Sequence, residues 1–255
     1  MSSRTWTPDA LSSEAKPLTG RWWRLVEAQH QVSTLKLVDD LAEQEVLEHL
    51  VEETKPAVPP ECQHLHYLLA TPFRYGAPYP QGSRFRRAGY TSGVFYASQA
   101  PRTAVAEMAF YRLLFFAESP DTPWPADAKE FTAFSVEIGT DRALDLTKSP
   151  LNADRAAWTD PIDYKACQDV CDVARAAHIA AIQYLSVRDP AHGCNLALLA
   201  CRAFAHPEPK SRQTWRIRLS SSGAQAICEF PPDRVGFDRG SFGTDPRIGS
   251  LLWDR

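Results

Sequence analysis

Long apolar runs are missing from this 255-residue chain, and no stretch of about 18 uninterrupted apolar residues offers a transmembrane helix. The opening "MSSRTWTPDALSSEAKP" lacks the apolar core of a secretory signal, so a cytoplasmic protein is expected. A basic excess is missing too. Lys and Arg number 28 against 31 Asp and Glu, a net charge of −3, which excludes a general nucleic-acid binder; no basic stripe or nucleic-acid motif occurs either. The six cysteines form neither a CxxC pair nor a zinc-ribbon spacing. Cys167 and Cys171, one helical turn apart, read as small buried apolar residues. His64 and His66 would share a strand face with no carboxylate near them in sequence, and no metal site is expected. GxGxxG, GxxxxGK[ST] and GxSxG are all absent, as is any internal repeat. Neither a Rossmann site, a P-loop nor a nucleophile elbow is signalled, and a nucleotide would have to be held by arginines and aromatics.

The chain does contain the makings of a packed α+β protein, with 44% apolar and 23% charged residues. Residues 1–20, with Pro8 and Pro17, read as a loose arm. Residues 39–54 read as a helix, opened by Asp40 with Glu43 and striped by Leu47, Leu50 and Val51, with an acidic opposite face. "KPAVPPE" stops it and marks a hinge, dividing a 1–60 arm and helical extension from a 61–255 main domain. Strands are expected within 66–75, over 93–98, 130–138 and 142–146, at 179–186 and in "NLALLACRAF", with a late hairpin around "SSG". Helices are expected from Pro101 to about Ala117 and over 164–178.

One carboxylate, Glu107, interrupts the otherwise apolar 101–117 helix. Its same-side neighbours are Thr103, Phe110, Tyr111 and Leu114. Arg112 is five residues on, about 500° of helix rotation, so the two point roughly 140° apart and cannot pair. An ionised carboxylate on a buried helix needs a partner or a cavity. Two readings stay open: a structural salt bridge to Arg84, Arg86 or Arg102, or a place in the wall of a ligand pocket beside Tyr96. Arg74, Arg84, Arg86 and Arg87 lie within fourteen residues. Such a run can be a solvated loop, yet "GSRF" sets Arg84 in a Gly-led turn, and the planar guanidinium suits a pyrophosphate. In "QYLSVRDPAHGCN" Ser186 ends a strand and precedes Arg188 and Asn195. With His192 in the turn and no orienting acid, Ser186 reads as a turn serine or a hydrogen-bond donor to a ligand rather than a nucleophile.

The segments "TPFRY", "GSRFR", "GVFYAS", "TAVAE" and "YLSVRDPAHGCNLAL", in this order, resemble the RES-domain family, named for its Arg, Glu and Ser. The resemblance implies an ADP-ribosyltransferase-like core of mainly antiparallel strands with flanking helices. It also implies consumption of NAD as a substrate, with no resident cofactor, and a toxin role neutralised by an Xre-like antitoxin. Carried over, the Arg role falls on Arg74 or Arg84, the Glu role on Glu107, the Ser role on Ser186, and the pocket tyrosine is Tyr96; Arg188 and Asn195 join as substrate-binding residues. The expected activity is cleavage of the nicotinamide–ribose bond by a glycohydrolase or phosphorylase. Protein ADP-ribosylation and a non-catalytic binding module remain alternatives. No membrane and no direct nucleic-acid partner are expected, and a homo-oligomer is compatible with the sequence.

Overall fold

The computed structural model describes residues 5–27, 37–74, 80 and 82–254. The chain opens with α1 (Pro8–Ser13), started by Thr7, whose hydroxyl accepts the Ala10 N–H. The first long strand, β1 (Lys16–Glu27), follows directly. The N-terminal segment is therefore no loose arm: Leu11 is fully buried, and β1 pairs along almost the whole of β3 (Lys129–Asp145). In place of the two strands expected over 130–138 and 142–146, pairing with β1 carries one seventeen-residue strand through both.

Helix α2 (Leu41–Glu53) starts where Asp40 accepts the N–H groups of Ala42 and Glu43. The apolar run at 66–75, expected as a strand, folds instead as α3 (Tyr67–Ala70) and a single 3₁₀ turn, Thr71–Phe73. His66 caps it by accepting the Leu68 N–H, and Pro72 lies in the first turn of the 3₁₀ segment, where its missing N–H costs nothing. Short strand β2 (Phe95–Ser98) leads into α4 (Pro101–Ala117), which begins and ends where its proline and apolar run indicate. Beyond β3 come α5 (Arg155–Trp158), α6 (Lys165–Ala176), β4 (Ala181–Leu185), β5 (Cys194–Leu198), the ribbon β6 (Arg212–Ser220), β7 (Gly223–Cys228) and β8 (Asp233–Asp238), and α7 (Pro246–Gly249). β8 has no counterpart in the sequence reading.

The strands run in the order β1-β2-β5-β4-β3-β6-β7-β8, and β1 also pairs with β3. Five strands thus close into a ring, β1-β2-β5-β4-β3, while β6, β7 and β8 extend from the N-terminal half of β3. Every pairing is antiparallel except β3 with β4. Three apolar clusters hold this frame. Phe110 and Leu113 of α4 pack with Phe131 of β3 and Trp215 of β6. Phe95, Phe134, Val136 and Leu198 pack with α3 and its neighbours. Cys167, Val170, Cys171 and Ala174 of α6 pack against β4 and β5, the face their spacing indicates. Cys62 and Cys201, 139 residues apart in sequence, are joined by a disulfide that no spacing rule pointed to. Among the described residues, no helix is long and apolar enough to cross a membrane, and no three metal-ligating side chains gather.

Candidate active site

Helix α4 presents Thr103 and Glu107, one turn apart, to the turn that joins β4 to β5. Oε1 of Glu107 accepts two short hydrogen bonds, from Ser186 Oγ at 2.6 Å and Asn195 Nδ2 at 2.6 Å. Asn195 faces Ser98 across the β2–β5 pairing, and the Ser98 hydroxyl donates to Asn195 Oδ1 at 2.7 Å. That bond fixes the amide with its NH₂ toward Glu107. Ser186 is buried and accepts the N–H groups of Arg188 at 3.2 Å and Asp189 at 2.9 Å, so its own proton goes to Glu107. Asp189 accepts from Thr103 Oγ1 at 2.7 Å, strapping the turn to α4 a second time. The close approach needs Gly193, because a Cβ there would lie 2.2 Å from Thr103 Oγ1.

Oε1 is thereby committed, and Oε2 takes no donor among the described residues. The carboxylate borders a cavity of about 400 Å³. None of the arginines considered as salt-bridge partners reaches it. Arg102 pairs with Asp233, Arg86 donates to Thr91, and Arg112 pairs with Glu27. Among the described residues, Glu107 has no cationic partner. Of the two readings left open by the sequence, the geometry is that of a cavity wall.

The cavity brings together Arg84, Tyr96, Glu107, Arg188 and Asn195, with Ser186 immediately behind the carboxylate. Arg84 is buried. It donates to the carbonyls of Trp158 and Asp160 and lies 4.6 Å from the ring centroid of Tyr164. No carboxylate pairs with it among the described residues, so its charge stays in the wall, partly shielded by carbonyl oxygens. The Tyr96 hydroxyl shares a 2.8 Å hydrogen bond with Ser83 and accepts the Phe85 N–H, which locks the Arg84 turn onto β2.

Two expected members of the site are placed differently. Arg188 lines the cavity, but its guanidinium is turned into a buried ion pair with Asp245 at 2.5 Å and lies 4.0 Å from the Phe110 ring centroid. It pins the β4–β5 turn to α7 and has little left to offer a ligand. Arg74 stands outside the cavity altogether, paired with Glu52 of α2. It lies in the 66–75 segment expected to hold a strand, and the helical turn found there aims it elsewhere.

Sequence reasoning passed over Trp23 and Arg24, which β1 brings to the cavity. Arg24 donates to the Tyr96 carbonyl at 2.9 Å and lies 5.0 Å from the Phe95 ring centroid. The paired tryptophans flanked by arginines in "RWWRLV" were the available signal. Tyr184 of β4 was missed as well. Its side chain is buried at the cavity wall, and its hydroxyl takes no hydrogen-bond partner among the described residues. Burial, and next the Glu107 carboxylate, push the Tyr184 phenol well above the usual tyrosine range, which keeps it a neutral donor at physiological pH.

A family model described as the RES domain matches residues 58–220. No curated protein sequence matches the chain. Among solved structures, one described as the M. tuberculosis MbcT-MbcA toxin-antitoxin complex is similar, with 12% identity, a TM-score of 0.47, and coverage of 80% of this chain and 89% of that one. The family match spans more than half of the chain and contains Arg84, Tyr96, Glu107, Ser186 and Asn195, and it places this protein in the RES-domain family.

Proposed function

We propose that this protein cleaves the nicotinamide–ribose bond of NAD, taking NAD as a substrate. The observation that carries the reading is the Glu107 carboxylate, with one oxygen clamped by Ser186 and Asn195 and the other without a donor among the described residues, beside a cavity. In this reaction the C1′–N bond breaks and its electron pair leaves with nicotinamide, which becomes neutral. Positive charge develops on the ribose, as in glycoside cleavage. A fixed carboxylate offsets that charge without having to reorganise at the moment of reaction. Water adds at C1′ and releases a proton, giving ADP-ribose; phosphate in the same place would give the 1″-phosphate.

The cavity walls suit the remainder of the substrate. Trp23, Tyr164 and Tyr184 offer aromatic surface to the pyridinium, whose cationic charge the face of a ring favours. The positive charges of Arg24 and Arg84 suit the pyrophosphate. Family membership supports one further reading, that the protein is the toxin of a bacterial pair and is held in check by an Xre-like antitoxin in the cytoplasm.

The test is to incubate pure protein with NAD and follow nicotinamide release, with and without phosphate, beside Glu107→Ala. The parent is expected to release nicotinamide, and the variant to lose at least about a hundredfold in rate. No release from folded, inhibitor-free parent would count for a binding module, and a modified protein in lysate given labelled NAD would count for ADP-ribosyl transfer.

A further inference from the structure

Two exposed apolar surfaces of this chain, both away from the cavity, have opposite charge. The first is α2. Gln44 is its one buried residue, so the helix barely joins the core. Val46 and Leu50, one turn apart, are 60% and 53% exposed, and with Leu47 they line a shallow apolar furrow beside Glu43. Between residues 40 and 53 the chain carries six carboxylates and no lysine or arginine.

The second surface is the outer face of the β6–β7 ribbon. Along β6, Trp215, Ile217 and Leu219 point inward, while Arg212, Thr214, Arg216 and Arg218 point out. Across from them stand Ile227, 55% exposed, and Phe230, 85% exposed. Together these side chains line a groove of about 560 Å³. Arg216 is met by Glu229 and Glu130, whereas Arg212 and Arg218 pair with no carboxylate among the described residues. A solvated sheet face ordinarily carries polar side chains. Large apolar side chains set beside unneutralised arginines are the less usual part.

We propose that α2 of one copy of this chain docks in the β6–β7 groove of a second copy. Val46 and Leu50 would pack on Ile227 and Phe230, and Glu43 and its acidic neighbours would face Arg212 and Arg218. The helix is short enough for the groove: thirteen helical residues span about 20 Å, and the nine residues of β6 about 30 Å. Within one chain both surfaces stay exposed, so the helix does not fill its own groove, and the Arg74–Glu52 pair holds its C-terminal turn to the parent body. A helix laid by its apolar stripe into a groove is an established recognition mode. Because helix and groove are different patches, the contact is heterologous, and a docked pair keeps one free groove on one copy and one free helix on the other for the next.

Sedimentation of the full chain across concentration and salt tests this. At low salt the average mass is expected to rise with concentration, and 0.5 M salt is expected to weaken association by about tenfold. Val46→Lys with Leu50→Lys should abolish association, as should Arg212→Glu with Arg218→Glu. All four positions are exposed, so unchanged melting is the check on folding. The decisive measurement mixes the two variants: the first keeps its groove and the second its helix, so together they should form a 1:1 dimer and nothing larger. A parent that stays monomeric at a few hundred micromolar overturns the proposal. So does a mixture that fails to pair, or either variant associating as the parent does. A partner that binds α2 while the parent never self-associates would reassign the helix to that partner.

Discussion

Ser186 gives its single proton to Oε1 of Glu107 at 2.6 Å while its oxygen takes two backbone N–H groups from its own turn. The serine therefore serves two structures at once, orienting a carboxylate and closing the turn behind it. Ser186→Ala is expected to lower nicotinamide release by at least about tenfold. It should also cost about 1–3 kcal/mol of stability, because two buried N–H groups lose their acceptor. Rate and melting temperature measured on one preparation separate the two effects. An unchanged rate would leave Ser186 with the turn alone.

Gly193 provides a test of the strap between that turn and α4. A Cβ at this position would sit 2.2 Å from Thr103 Oγ1 and 2.7 Å from Asp189 Oδ2. Gly193→Ala should destabilise the protein by about 1–3 kcal/mol through overpacking. Shortening the obstructing side chain, in Gly193→Ala with Thr103→Ser, should recover part of the loss. Denaturant unfolding of the single and double variants makes the comparison, and a double variant no better than the single would mean that the clash lies elsewhere.

The buried pair of Arg188 and Asp245 predicts a pH dependence. Burial acts to raise the Asp245 carboxyl, but hydrogen bonds from Arg247 and the charge of Arg188 outweigh it and hold it below the ordinary value of 3.8. A carboxyl lowered by folding stabilises the fold above its unfolded value, and that stability is lost as pH falls through the folded one. Asp245→Asn keeps an acceptor for the Arg247 N–H and removes the charge, leaving Arg188 buried without its partner. The expected loss at pH 7 is about 3–5 kcal/mol. Thermal unfolding from pH 7 down to pH 3 should show the gap between parent and variant narrowing; a constant gap would contradict the linkage.

Thiol reactivity offers a fourth check. Burial pushes the Cys171 thiol up to about 11, and the Cys167 thiol is raised by burial against the opposing charge of Arg84. Cys194 is only half-buried. Alkylation of the native protein at pH 8 should therefore mark Cys194 first and leave Cys167 and Cys171 unmarked until denaturant is added. Cys62 and Cys201 should react only after reduction. Peptide mapping reads each site, and early labelling of Cys171 would contradict its packing.

The legible parts of this molecule were those whose signals are local. Helix α4 follows from Pro101 and a largely apolar run, and α6 from its four buried residues at helical spacing. That Arg112 cannot serve Glu107 followed from helical rotation alone, and Arg112 does pair elsewhere, with Glu27. What stayed hidden depends on distant strands. Nothing near Trp23 says that β1 will lie against β3, more than a hundred residues on, and so bring Arg24 to the cavity. The Ser98–Asn195 bond likewise depends on strand register, which local spacing does not reveal. Arg74 and Arg188 show the converse: an arginine in a suggestive motif is as easily consumed by Glu52 or Asp245.

The ring of strands also has a consequence in time. β1 leaves the ribosome first, yet its main partner, β3, is the third strand made, and Asn195 emerges some 170 residues after Arg24. The wall around Glu107 therefore cannot be complete before β5 has emerged. Until β5 is made, the nascent chain holds the carboxylate without the Asn195 half of its clamp.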